Sequence, residues 1–288
     1  MRIPRFWALG RCDGPHPLTG KRTEFSAWGW SFPSAADAAD NAQQRANRIV
    51  ERLGAGQLLT SYGYFDRPIR EEVESTIHCN GEEIGIITRN QYGALVLNSS
   101  RVLFADIDFP LVIPRGFWDA MTLAFSRRFR EVRERDLEQA VWHRIRGWAQ
   151  ANPHRSFRLY RTARGMRFVV TDRSYDPVAA DATTLLEELG SDPLYCRLTK
   201  VQECFRARLT PKPWRCGHVA APHRFPRLDG DAQKSHFSWQ QEYAKRSKGY
   251  RACELVGEFG SPASDEVILQ TIRTHDERSC LPDGAPLA

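Results

Sequence analysis

The stretch RVLFADIDFP, residues 101–110, decides how this sequence is interpreted. Its apolar residues predict a buried β-strand, and two aspartates, Asp106 and Asp108, stand near its end. Because side chains alternate across a strand, both carboxylates project from the same face. Two like charges this close repel each other unless something positive neutralises them. The stretch therefore predicts either a divalent-cation site or a strand that ends at the surface with solvated or arginine-paired aspartates.

The segments after this strand predict the order of an α+β core. Residues 117–150 have helical apolar spacing with a break in phase, so we expect a kink or two helices. SFRLYRTARGMRFVVTDR predicts a strand, a tight turn at Gly165 and a second strand. A short helix at 181–190 and a helix or strand within 194–209 follow. The order from 101 to 208, strand–helix–strand–strand–helix–strand, is typical of ferredoxin-like folds.

The flanking regions extend this core on both sides. Ser34 with Asp37 resembles an N-cap pair, and the Ala-rich segment that follows predicts a helix that Gly54 can end. Residues 58–65 and 84–88 predict short strands. ALVLN and RVLFADIDF, joined through Ser99 and Ser100, predict a hairpin, and late elements are expected near 238–247 (helix) and 252–259 (strand).

We therefore predict an α+β protein with a ferredoxin-like (RRM-like) core sheet that carries helices on one face. The expected divisions are an N-terminal α/β segment packed on the core at 1–100, the ferredoxin-like core at 101–217, and a loop-rich C-terminal extension at 218–288.

Composition limits the class of protein and of partner. The chain has 288 residues and a formal net charge of +6, which permits an anionic partner such as nucleotide or nucleic acid. No apolar run is long enough for a membrane span, and the first residues lack the apolar region of a signal peptide. We therefore expect no membrane partner. Seven cysteines without close pairing are typical of reduced thiols, so we also expect a cytoplasmic location.

Two basic segments follow the aspartate strand. Guanidinium groups bind phosphate bidentately, and the glycine permits a close backbone approach, so the arginine-rich hairpin is a candidate nucleotide-binding element, or else a solvated basic hairpin. Its candidate residues are Arg161, Thr162, Arg164, Gly165 and Arg167. In the second segment basic residues alternate with aromatic ones, which favours nucleic-acid binding. Its candidates are Arg206, Arg208, Lys212, Trp214 and Arg215, although Phe and Trp as core anchors explain it equally well.

These motifs resemble those of the archaeo-eukaryotic primase superfamily over about residues 101–217. LFADID looks like the first motif, YRTARGMRF is similar to the second, and FRARLTPKPWRCG resembles a later arginine-containing segment. The resemblance implies that Asp106 and Asp108 hold Mg²⁺ or Mn²⁺. It also implies that the hairpin binds an incoming nucleoside triphosphate, and that the later segment holds DNA or RNA. Arg167 stands where the family has histidine.

A third carboxylate of the kind that this family uses is not evident from the pattern. Asp172, Asp176 and Asp192 are candidates, although none ends a clear apolar strand. The leading interpretation is a metal-dependent, primase- or polymerase-like nucleotidyltransferase. We then expect Asp106→Ala to abolish activity and to leave stability near normal.

Other interpretations remain open from the sequence. A non-catalytic nucleic-acid-binding protein and a protein-interaction module with a basic surface both fit the charge. Residues with zinc-ligand side chains also occur in one region, at a spacing that matches no standard zinc pattern. These residues are Cys204, Cys216, His218 and His223.

Overall fold

The computed structural model describes residues 1–57 and 68–288, so the predicted strand at 58–65 lies outside the described residues. The N-terminal elements are an antiparallel hairpin of two strands and a helix that follows it. They are β1 (Phe6–Pro15), β2 (Arg22–Ser31) and α1 (Ala35–Gly54).

The sequence of α1 explains both its start and its close packing on the hairpin. The predicted N-cap is confirmed, because the side chain of Ser34 accepts a hydrogen bond of 3.0 Å from the backbone N–H of Asp37. Gly10 and Gly29 lie under the helix, and a Cβ at either position would clash with the backbone of Ala42. The two glycines therefore let the helix axis approach the hairpin closely.

The strands that follow form two antiparallel four-stranded sheets. In chain order they are β3 (Glu72–Cys79), β4 (Glu82–Arg89), β5 (Leu95–Ser99), β6 (Phe104–Asp108), β7 (Phe157–Thr162), β8 (Gly165–Val170), β9 (Phe205–Arg208) and β10 (Cys253–Phe259). The first sheet has the spatial order β3–β4–β5–β9, and the second has the order β10–β7–β8–β6.

Six helices accompany these sheets in the part of the chain after residue 68. They are α2 (Phe117–Phe125), α3 (Arg127–Ala151), α4 (Ala180–Leu189), α5 (Pro193–Gln202), α6 (Gly230–Ser247) and α7 (Glu266–Ser279). The predicted interruption of the long helical segment is confirmed. The side chain of Ser126 accepts a hydrogen bond from the backbone N–H of Phe129, so it ends α2 and caps α3.

Strands β5 and β6 do not form the hairpin that we predicted. β5 pairs with β4 and β9, whereas β6 pairs with β8 in the other sheet. Between them the side-chain oxygen of Ser99 accepts hydrogen bonds from the backbone N–H groups of Arg101 and Val102, at 3.3 and 2.9 Å. These bonds turn the chain from one sheet to the next. An apolar pattern identifies a strand but not its partner.

The α+β class is confirmed, whereas the complete ferredoxin-like sheet is not. β6, β8 and β7 are neighbours, but β9, the expected fourth strand, pairs with β5 instead of β6. The Tyr195 hydroxyl lies between the two sheets. It contacts the carbonyl oxygen of Phe104 at 2.8 Å and accepts from the backbone N–H of Arg206 at 3.1 Å. A side chain of α5 therefore bridges β6 and β9, where a ferredoxin-like sheet has a backbone ladder.

Helices pack on both faces of the second sheet, which corrects the expectation of helices on one face. Trp148 of α3 contacts Phe168 on one face, with the ring centroids 6.0 Å apart. On the other face His275 of α7 lies 5.5 Å from the Phe104 ring and 4.8 Å from the Tyr160 ring. Thus α7 covers the face from which Asp106 also projects.

Both sheets share one core, and residues of all three predicted segments contribute to it. The largest buried cluster contains Ile87 and Leu97 of the first sheet together with Phe104 and Phe168 of the second. β10 and α7, from the C-terminal part, complete the second sheet and cover one face of it. The division at 217/218 therefore separates strands of a single sheet.

Within the described ranges, no helix combines the length and the apolar character needed to cross a bilayer.

Candidate functional site

A pocket of about 340 Å³ lies at the end of β6. It gathers residues that are far apart in sequence, because the β7–β8 turn, the start of α5 and the segment after β9 meet there. Eight of the predicted site residues line it. They are Asp106, Asp108, Thr162, Arg164, Arg167, Arg208, Lys212 and Arg215. The acidic strand and both basic segments thus meet at one place.

Asp106 forms a bidentate ion pair with Arg167. The two residues face each other in the β6–β8 register, and Arg167 Nε and Nη2 donate to the two carboxylate oxygens at 2.7 and 2.9 Å. Arg167 is only 1% exposed, whereas 43% of the Asp106 side chain remains accessible from the pocket. Burial alone would raise the pKa of the Asp106 carboxyl, but the guanidinium outweighs burial and holds that pKa below its usual value. This aspartate is therefore ionised, and it takes the arginine-paired alternative left open by the sequence.

We predicted that Arg167 contacts a triphosphate, but its guanidinium is engaged by groups of the protein itself. Its Nη1 donates to the carbonyl oxygen of Arg208 at 2.9 Å and lies 3.3 Å from Nε2 of His275. His275 Nδ1 lies 2.8 Å from Asp276 Oδ1. Since Arg167 can only donate, this network assigns the proton of a neutral His275 to Nδ1 and leaves Nε2 as the acceptor. Four contacts, with Asp106, Arg208 and His275, fix the guanidinium, and it in turn holds the Asp106 carboxylate in place.

Asp108 is the exposed member of the pair. Its pKa is raised, first by partial burial and then by the negative charge of Asp106. It faces Gly165 across the β6–β8 ladder. A Cβ at Gly165 would clash with the carbonyl oxygen of Ile107, so glycine is needed there to bring the two strands together. Gly165 thus shapes the pocket without lining it.

Four cations around the pocket have no Asp or Glu carboxylate within 4.0 Å among the described residues, although Arg208 Nη1 lies 3.4 Å from the backbone oxygen of Ala288. They are Arg164, Arg208, Lys212 and Arg215. Burial, and then the charge of Arg167, lower the pKa of Arg208 to about 10. Burial and neighbouring arginines also lower the pKa of Lys212 and of Arg215. Positive charges that burial and mutual repulsion disfavour are stabilised when an anion binds among them.

Asp192 provides a third carboxylate at the pocket. One of its oxygens, Oδ1, caps α5 by accepting from the backbone N–H groups of Leu194 and Tyr195, at 2.8 and 3.2 Å. No hydrogen bond engages its Oδ2 in the described structure. The other two candidates lie elsewhere: Asp172 pairs with Arg155, and Asp176 accepts from the backbone N–H of Val178.

The remaining predicted residues lie outside the pocket. Arg161 pairs with Glu138 of α3. Arg206 donates to Glu71 at 2.6 Å. Trp214 is 51% exposed and contacts Tyr92 edge-on. Tyr195, His275 and Asp276 support the site but carry no recognisable motif in the sequence, since their role depends on contacts with distant strands.

One group of potential metal ligands is present in the part of the chain that the structure describes. Cys253, His275 and Cys280 place their ligating atoms within 4.8 Å of one another. Thiolate and imidazole are ligands typical of zinc, not of Mg²⁺ or Mn²⁺. The two sulfur atoms lie 3.7 Å apart, and Cys253 Sγ also contacts Ser279 Oγ at 3.1 Å. Among the described residues, neither the three pocket carboxylates nor the zinc candidates at 204–223 bring their ligating atoms this close together.

Comparisons with models of known protein families, with curated proteins and with solved structures find no match to this chain.

Proposed function

We propose that this protein is a metal-dependent nucleotidyltransferase, related to primase-polymerases, that binds a nucleoside triphosphate in the pocket at the end of β6. The observation that supports it most is the convergence on one pocket of about 340 Å³ of three carboxylates and four cations that no described Asp or Glu neutralises. This volume lies at the lower end of the range of roughly 300–1,000 Å³ for small-molecule sites. Phosphoryl transfer needs both kinds of charge in one place.

The cations supply the phosphate contacts. Arg208 at the end of β9, and Lys212 and Arg215 in the segment after it, are partly buried at the pocket. Arg164 reaches the pocket from the β7–β8 turn. Guanidinium groups on two sides can hold a triphosphate bidentately. The sequence predicts Arg161 and Arg167 as phosphate ligands. In this proposal Arg208, Lys212 and Arg215 bind the phosphates instead.

The carboxylates fit a hard divalent cation. Mg²⁺ usually uses one or two protein carboxylates and completes its shell with water and phosphate oxygens. Asp106 uses one lone pair of each oxygen for Arg167, so others remain directed to the accessible side. Asp108 and Asp192 are exposed residues that line the same pocket. When bound, Mg²⁺ or Mn²⁺ would supply Lewis-acid stabilisation of the phosphate oxygens.

The chain itself would position the reactants. Arg167 keeps Asp106 ionised and fixed, and the Tyr195 hydroxyl holds β6 and β9 at a constant separation. The cations would fix the triphosphate so that a 3′ hydroxyl of DNA or RNA attacks the α-phosphorus in line. The new P–O bond forms as the bond between the α-phosphorus and the bridging oxygen of the β-phosphate breaks, pyrophosphate leaves, and the hydroxyl proton passes to solvent. Positioning of this kind lowers the barrier because it removes motional freedom before the chemical step.

A second candidate function is nucleic-acid binding without catalysis. It is favoured by the bidentate Asp106–Arg167 pair, which neutralises the charge of Asp106 without a metal. Such a protein would bind DNA or RNA in a salt-sensitive way and would not need a metal.

Incorporation of a labelled nucleotide onto a primer with Mg²⁺ or Mn²⁺ distinguishes the two candidates. We expect activity in the wild type, a loss of at least about 100-fold in Asp108→Asn because a metal carboxylate is removed, and little change in Arg161→Ala. Arg161 serves as the control because it belongs to the β7–β8 hairpin, as Arg164 does, but its own side chain lies outside the pocket. Equal activity in wild type and Asp108→Asn would contradict the catalytic proposal.

A further inference from the structure

A second cavity, of about 830 Å³, lies beside the pocket at the end of β6. Its walls come from the β1–β2 hairpin, α1, the segment before β3, the β4–β5 turn and the chain at 223–227. Asp106, Tyr195 and Arg208 line this cavity and the smaller pocket alike. A ligand lying in the larger cavity therefore reaches the same carboxylate as a ligand in the smaller one. We name the larger cavity the tryptophan groove.

Three tryptophans give the groove its aromatic surface. Trp7 pairs with Trp30 across the hairpin, with ring centroids 5.5 Å apart, and Trp28 follows on the same face of β2. The guanidinium groups of Arg45 and Arg70 lie over Trp30 and Trp28, at 4.5 and 4.4 Å from the ring centroids. None of the three tryptophans is fully buried. Alternating indole and guanidinium planes form stacking surfaces for unpaired bases.

The charge of the groove is strongly unbalanced. Nine arginines line it, against two carboxylates, Glu71 and Asp106. Several of these arginines are engaged by acids, but Arg48, Arg52 and Arg224 have no carboxylate within 4.0 Å among the described residues. Arg48 and Arg52 lie one helical turn apart on α1, and Arg224 lines the groove from the chain at 223–227. A polyanion is the ligand that this charge favours.

We propose that the tryptophan groove binds single-stranded nucleic acid, with bases against the tryptophans and phosphates on Arg48, Arg52 and Arg224. A single strand fits better than a duplex because its bases are free to stack on the indole surfaces. Binding of the strand does not require catalysis. Only the further step, in which the strand end reaches Asp106, rests on the proposed nucleotidyltransferase function. The groove differs from the segment at 204–217 that the sequence indicated, because it is formed mainly by the N-terminal elements.

Fluorescence anisotropy with a labelled oligo-dT, its RNA counterpart and a DNA duplex, each at several salt concentrations, tests the groove. The variant Arg48→Ala/Arg52→Ala/Arg224→Ala should reduce the slope of log K against log salt by about 2, because each lost phosphate contact on a single strand contributes about 0.7. Trp28→Ala should weaken binding by about 5-fold or more through lost stacking. The matched control, Arg128→Ala/Arg135→Ala/Arg278→Ala, removes the same charge from exposed positions away from the groove.

The outcomes separate this inference from the proposed function. Equal losses in the groove and control variants, tighter binding of the duplex, or no binding of either single strand would overturn the groove, even if nucleotides still bind at the end of β6. Loss of strand binding in the groove variants, together with no incorporation by any form, would support the groove and contradict nucleotidyl transfer. A preference between the DNA and RNA strands identifies the natural ligand. Should Trp28→Ala fail to fold, the arginine variant still decides the result.

Discussion

Replacing Asp106 with alanine should destabilise the protein, although the residue lies at a pocket. Without the carboxylate, a guanidinium that is 1% exposed loses two hydrogen bonds of 2.7 and 2.9 Å and keeps only the Arg208 carbonyl and His275 as acceptors. Removing one partner of a fully buried ion pair costs about 3–5 kcal/mol. Because 43% of the Asp106 side chain is accessible and water can enter, we expect about 2–4 kcal/mol in the free energy of unfolding. This replaces the sequence-based expectation of near-normal stability.

Urea unfolding at pH 7, followed by circular dichroism, measures the effect. Asp108→Ala is the matched control: it removes an exposed carboxylate two residues away, and we expect a change within about 0.5 kcal/mol. The double variant Asp106→Ala/Arg167→Met should recover part of the loss, because no buried charge is then left unpaired. Two results would refute the reasoning. One is a stability of Asp106→Ala equal to that of Asp108→Ala, and the other is a double variant that is less stable than Asp106→Ala alone.

The structure predicts three further effects. The pKa of Asp106 is lowered in the folded state, so its contribution to stability is present above its unfolded pKa of about 3.9 and is lost as the pH falls through the folded value. In an acid titration, Asp106→Ala should therefore lack this part of the pH-dependent loss of stability. Gly165→Ala should destabilise the protein by about 1 kcal/mol or more through the clash with Ile107. Gly147→Ala, in the last part of α3 with open space around its Cβ, should stabilise the protein by about 0.5–1 kcal/mol, and thermal melts showing the same sign for both variants would contradict this. Asp192→Asn should keep the α5 cap and the melting temperature but weaken Mn²⁺-dependent nucleotide binding, and calorimetry with unchanged binding would remove the residue from the metal site.

Local chemistry made much of the fold predictable. Ser34 caps α1, Ser126 separates α2 from α3, and the arginine-rich hairpin forms around the turn before Gly165. In each case the signal lies within a few residues of its effect. The α+β class follows from the same local patterns, because strand and helix periods differ.

Strand partners and buried networks depend on contacts between distant residues, which a single sequence does not show. A ferredoxin-like order places β9 beside β6, but the ladder partner of β9 is β5, and the Tyr195 hydroxyl lies between β9 and β6. Both aspartates of the pair line one pocket, since strand alternation places their side chains on one face. Arg167, the neutralising partner of Asp106, was assigned to phosphate instead, because only the β6–β8 register brings the two residues together.

The most direct test of the central claim is calorimetric titration of the protein with a nucleoside triphosphate, with and without Mn²⁺. The wild type and the variants Lys212→Ala/Arg215→Ala and Arg161→Ala would be compared, since the first variant removes cations of the pocket and the second removes one outside it. We predict Mn²⁺-dependent binding that is retained in Arg161→Ala and weakened at least about 10-fold in the pocket variant, as expected for two lost charge-assisted contacts. Binding that is absent from the wild type, or unchanged in the pocket variant, would contradict a nucleotide site at the end of β6.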